Sequence, residues 1–151
     1  MSSARFASVT AADACPCGRV HPSQRSPRPS SYGECCERWH AGSPAPDAER
    51  LMRSRYSAFV LGLHDYLLAT WHASTRPTDL TLDPQLKWLG LQVLAHHTVD
   101  TTHAQVRFVA RSRWQGKGQR LEECSRFVLE EGRWWYVDGD DMGQTPVRSP
   151  L

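Results

Sequence analysis

The chain has no long apolar run. Its longest, around Ala58 to Leu63, falls far short of the roughly 20 residues a membrane-spanning helix needs. The first fourteen residues lack any continuous apolar stretch, so no secretory leader is expected. A cytoplasmic protein with reduced thiols follows as the expectation, and clustered cysteines then point to metal before disulfide. The sequence also lacks an internal repeat, a complete catalytic triad and a metal-bearing catalytic motif. Strong charge of one sign is missing too, since the formal net charge is +2. The excess lies in residues 1–46, which carry five arginines against three acids, while residues 47–151 carry thirteen basic and thirteen acidic side chains. Four metal-bound thiolates would cancel that excess, so nucleic acid ranks last among the partner classes. Lysine is scarce, with 16 of the 18 basic residues being arginine.

What is present is enough for one ordinary core. The chain has 151 residues, 40% hydrophobic, with six tryptophans, which argues for a folded protein. Residues 1–14 read as a loose tail. Residues 15–46 hold four of the five cysteines and six prolines without helical or strand period, so this segment needs a staple to order it. Asp47 is a helix N-cap, with Glu49 in the favoured first turn. Met52, Tyr56, Phe59 and Leu63 follow at helical spacing, which predicts a helix over 48–61 ended by Gly62. A second short helix is expected over 64–71, and residues 72–85, with Pro77 and Pro84, read as loop. Alternation then marks strands around 89–95, 106–110, 121–129 and 134–138, with turns at Gly116–Gly118 and Glu131–Gly132. Helices followed by an antiparallel meander make the class α+β, with helices packed on one face of a curved sheet. Residues 47–140 form that domain, 141–151 a tail, and the domain is expected to fold without the cysteine segment.

The cysteine pattern is Cys-x-Cys, seventeen residues, then Cys-Cys. Four thiolates satisfy the soft tetrahedral preference of Zn2+. The spacing is unusual, because common zinc knuckles place two residues between paired sulfurs. His21 and His40 are alternative ligands. Cys124 lies mid-strand and reads as a buried free thiol.

Cys15-Pro16-Cys17-Gly18 followed by Tyr32-Gly33-Glu34-Cys35-Cys36 resembles the SEC-C motif, which implies one zinc held by Cys15, Cys17, Cys35 and Cys36. The motif usually separates its pairs by fewer residues, so the Ser, Pro and Arg before Tyr32 look like an insertion. Leu51 to Phe59 (LMRSRYSAF), Thr70-Trp71-His72, Glu123-x-Ser125-x-Phe127 and Gly132-Arg133-Trp134 through Gly139 resemble the YchJ-like family of bacterial proteins. That resemblance implies a domain similar to nuclear transport factor 2, a cone of helices on a curved sheet, but no activity.

Cones of this class hold a pocket between helices and sheet. The residues expected to aim there are Tyr56, Trp71, His72, Trp88, Glu123, Ser125 and Trp134. Glu123 shares a strand face with Leu121, Ser125, Phe127 and Leu129. A carboxylate in that apolar row needs a partner or shifts its pKa upward. It is either a ligand anchor or general base, or the partner of Arg53, Arg55 or Arg107. Two functions remain open: a cone that binds a small molecule beside a zinc appendage, and an interaction module whose zinc segment docks on a partner protein.

Overall fold

The computed structural model describes residues 4–21 and 27–142. The cysteine segment contributes two short antiparallel strands, β1 (Val20–His21) and β2 (Arg28–Pro29), and a single helical turn, α1 (Glu37–His40). Two helices follow, α2 (Ala48–Leu61) and α3 (His64–Ala69). Four strands complete the fold: β3 (Lys87–Thr98), β4 (His103–Trp114), β5 (Lys117–Glu130) and β6 (Arg133–Asp141). They form one antiparallel sheet in sequence order. This is the α+β architecture expected. No helix among the described residues is long and apolar enough to cross a membrane.

Local chemistry explains the elements. The Asp47 carboxylate caps α2 by accepting from the Arg50 N–H at 2.7 Å, which satisfies one of the orphan donors of the first turn. Gly62 stops α2 in the left-handed region at φ 74°. Two of the sheet's three hairpins turn through two residues each, Gln115–Gly116 and Glu131–Gly132, all with positive φ. That geometry matches the right-handed twist of the flanking strands. Register shifts in β3, between Trp88 and Gly90 and between Val93 and Ala95, and in β5 between Arg126 and Phe127, bend the sheet around α2.

Three expectations are corrected. The second helix ends at Ala69, not at residue 71. Trp71 instead bridges to Tyr136 of β6, with the Tyr136 N–H on the Thr70 carbonyl and the His72 N–H on the Tyr136 carbonyl. Residues 4–14 are no loose tail. Gly33 and Tyr32 donate to the carbonyls of Ala11 and Asp13, Ala14 bridges to Ser31, and Phe6 packs over Gly62. Cys124 is half-buried, its Sγ 3.8 Å from Gln105 Oε1. The tail expected from residue 143 onward lies outside the described residues.

The core does not break at Pro46. Cys15, Cys17, Tyr32, Cys35 and Cys36 belong to the same buried cluster as Leu51, Met52, Tyr56, Phe59, Val106, Phe108, Phe127 and Tyr136. Gly62 is a pivot of that packing, since a Cβ there would lie 2.5 Å from the Phe6 ring. Gly62→Ala is expected to cost about 1 kcal/mol for its left-handed backbone alone, and more for the displaced ring. Urea denaturation measures it; an unchanged midpoint would show that Phe6 does not occupy this position in solution.

Candidate metal centre and cone interior

The two cysteine pairs arrive from separate turns. Cys15 and Cys17 flank a tight bend closed by the Gly18 N–H donating to the Cys15 carbonyl, with Gly18 at φ 73°. Cys35 and Cys36 lead into α1, with the Cys35 and Glu37 N–H groups donating to the Tyr32 carbonyl. The Cys15 N–H donates to the Ser30 carbonyl and ties the arms together. Between the two pairs, β1 and β2 lie antiparallel, with Val20 opposite Pro29 and His21 opposite Arg28. A seventeen-residue spacing therefore leaves the ligand turns intact.

The four Sγ atoms lie within 4.8 Å of one another and all four residues are buried. Cys17 and Cys35 sulfurs are 3.6 Å apart, and those of Cys35 and Cys36 are 3.9 Å apart. A tetrahedral ion with metal–sulfur bonds of about 2.3 Å sets neighbouring sulfurs about 3.8 Å apart, so the cluster has the dimensions to hold one. No cysteine is in a disulfide. Hydrogen bonding from Cys17, Cys35 and Cys36 pushes the Cys15 thiol down, and hydrogen bonding to Cys15, Cys17 and Cys35 pushes the Cys36 thiol up. A metal bound there would replace those protons. Around the cluster, Ser57 of α2 lies 3.4 Å from Cys36 Sγ and 3.7 Å from Cys15 Sγ, while Arg53 donates to the Cys17 carbonyl at 3.1 Å. Such contacts fix ligand orientation and offset thiolate charge.

Neither histidine is placed to substitute. His40 has both ring nitrogens engaged, one with the Tyr32 hydroxyl at 2.6 Å and the other with the Ser54 carbonyl at 2.8 Å. Burial pushes its pKa down, which suits a neutral ring donating to that carbonyl. His21 sits by Glu34, 3.6 Å away.

The cone interior is packed around a buried arginine. Arg55 is 4% exposed and lies over the rings of Tyr136 and Trp71, 4.4 and 5.0 Å from their centroids. It donates to the Leu67 carbonyl and the Thr70 hydroxyl. Burial pushes the guanidinium down to about 10, against attraction from Tyr136, Tyr66 and Glu123, so it stays charged at neutral pH. Glu123 is 1% exposed, accepts from the Ser125 hydroxyl at 2.6 Å and abuts Gly139. Of the three arginines expected near it, Arg53 pairs with Glu49 and Arg107 with Glu122, while Arg55 is drawn electrostatically toward Glu123. A cavity lined by Arg55, Tyr56, Ser125 and Tyr136 measures about 10 Å³, the lower limit for one water.

The pocket candidates thus fall in four places. Tyr56 and Ser125 line the small cavity, and Glu123 lies behind Ser125, accepting its hydroxyl. Trp71 and Trp88 line an open cleft of about 340 Å³ under Leu80 and Leu82; Trp88 also packs edge-on to Tyr56. His72 is bonded to Glu130 at 2.8 Å and to Ser74, and so fastens the loop after α3 to the β5–β6 hairpin. Trp134 lines a groove of about 290 Å³ with Trp39, Tyr66, Arg133 and Trp135. Trp39 and Trp135 were not anticipated. Trp39 lies one turn past the cysteine pair, a position without strand or helix period to flag it.

A family model described as "YchJ, middle NTF2-like domain" matches residues 47–139. The chain belongs to the YchJ family. A UPF0225 protein of Polaromonas sp. is 57% identical over 130 residues, covering 83% of this chain and 91% of the relative. A UPF0225 protein of Bordetella parapertussis is 57% identical over 131 residues, covering 84% and 92%. Two solved structures of SEC-C motif containing proteins resemble the fold. The solution structure from Rhodopseudomonas palustris has a TM-score of 0.70 at 28% identity, covering 86% of this chain and 99% of its own. The crystal structure from Psychrobacter arcticus has a TM-score of 0.69 at 30% identity, covering 91% and 86%. In this YchJ-family chain, the SEC-C cysteines are those that converge on one point.

Proposed function

We propose that this protein is a zinc-stapled interaction module. One Zn2+ held by Cys15, Cys17, Cys35 and Cys36 fixes the N-terminal segment on α2, and the unit so assembled docks an extended segment of a partner protein. The observation that carries the reading is the convergence of four buried sulfurs at tetrahedral spacing against α2. Zinc supplies structural cross-linking in such a tetrathiolate and leaves no open position for catalysis. The docking seat is the groove between α1 and β6, because only the stapled arrangement brings Trp39 beside Trp134 and Trp135. Aromatic-lined grooves of this kind favour extended, proline-containing peptides, which arrive preformed with little ordering cost. A screen of displayed random peptides against the full chain tests the seat. Enriched peptides are expected to lose at least about tenfold in affinity to Trp134→Ala, the loss of a large aromatic contact, and to lose binding on chelation. Peptides indifferent to Trp134, or no enrichment, would contradict it.

A second reading keeps a small-molecule cone. It is supported by the 340 Å³ cleft at Trp71 and Trp88, which has the volume of a small ligand site. The centre of the cone near Glu123 has room for little more than a water, so such a ligand would sit in the cleft.

A further inference from the structure

The open cleft of about 340 Å³ at Trp71 and Trp88 has apolar walls and charge of one sign. Phe59, Trp71 and Trp88 give it an aromatic side, and Leu80 and Leu82 an aliphatic one. Phe6 adds a further ring, seated over Gly62 by the ordered N-terminal segment. The wall is therefore built before any ligand arrives. Among the described residues that line it, Asp79 and Asp83 are the only charged ones.

The neighbouring cations are engaged elsewhere. Lys87 donates to the Arg5 carbonyl and Arg76 to the Trp71 carbonyl, and neither lines the cleft. Arg55 lies 5.0 Å from the centroid of the Trp71 ring but is buried in the core. The two carboxylates differ. Asp83 is held in place, accepting from the Gln85 N–H at 2.9 Å and the Trp114 indole at 3.2 Å. Asp79 is exposed and has no ion-pair or hydrogen-bond partner among the described residues. Carboxylates without a matching cation attract positive charge and repel anions. Aromatic ring faces attract a cation as well, through their quadrupole. A primary ammonium is strongly hydrated and carries three donors, and apolar walls offer it no acceptors in place of water. An alkylated ammonium makes no such demand.

We infer, on the small-molecule reading of this cleft, that it binds an alkylated ammonium compound with a compact apolar body. Asp79 and Asp83 answer the charge, and the aromatic wall takes the body. The volume stands at the lower end of the range for small-ligand sites, about 300–1,000 Å³, which keeps the body to roughly one ring.

NMR titration of the full chain, following the indole N–H signals, tests this. The probes are benzyltrimethylammonium, its neutral carbon isostere neopentylbenzene, benzylamine and hydrocinnamate. Benzyltrimethylammonium is expected to shift the Trp71 and Trp88 signals and to leave those of Trp39, Trp134 and Trp135 in place. It should bind roughly tenfold more tightly than the isostere or benzylamine, the scale of a partly desolvated cation–π contact. Hydrocinnamate should not bind. Asp79→Asn should weaken the cation about threefold, the worth of an exposed charge, and leave the isostere unaffected. Its melting temperature should match the parent's, since Asp79 holds nothing in place. Equal affinity for cation and isostere would leave a small-molecule cleft and overturn its preference for charge. Binding of neither would remove both. Shifts confined to Trp39, Trp134 and Trp135, or an Asp79→Asn variant that binds the cation as the parent does, would also overturn the assignment.

Discussion

Arg55→Leu is expected to lower folding stability by about 3–5 kcal/mol, the range for removing one partner of a buried charge arrangement. The guanidinium donates to Leu67 and Thr70, lies over two aromatic rings and faces Glu123 across the core. Leucine fills much of the space but leaves the Leu67 carbonyl without that donor and removes a favourable positive charge from the field of Glu123. Pairing Arg55→Leu with Glu123→Gln should recover part of the loss, because the two charges attract one another. Urea denaturation of the single and double variants measures both effects. A single variant within about 1 kcal/mol of the parent would place the loss among ordinary surface changes and remove Arg55 from the centre of the fold.

Cys35→Ser is expected to have the other large effect. A structural zinc site contributes its binding free energy to folding, so losing one thiolate of four is expected to release the metal and with it the order of residues 4–21 and 27–46. The sheet should survive, since β3 to β6 pair through long ladders that do not involve the cysteines. Limited proteolysis should then cut the N-terminal segment at least roughly tenfold faster while leaving the sheet protected, as expected when a local unit opens by itself. Equal protection in both proteins would mean that packing on α2, not metal, orders the segment.

The parts of the fold that were legible rest on periodicity and punctuation. Asp47 and Gly62 bracket α2 because capping and positive φ are local demands. The alternation around Glu123 marks a buried row because a strand repeats every two residues. The illegible parts depend on long-range contacts. Trp71 leaves helix for a bridge because Tyr136 offers it a backbone partner sixty-five residues away, which no local pattern encodes. Residues 4–14 are held by Tyr32, Gly33 and Gly62, so their order depends on the cysteine segment being in place. Among the candidate site residues, the four cysteines were readable from spacing and resemblance. The pocket set was not, because Tyr56, His72 and Trp134 share a cone without sharing a cavity.

The central claim is a tetrathiolate zinc centre, and native mass spectrometry of the full chain tests it most directly. The expected spectrum shows one zinc per chain in the parent, none in Cys35→Ser, and no loss of hydrogen from disulfide formation. A metal-free parent with disulfides among Cys15, Cys17, Cys35 and Cys36 would contradict it.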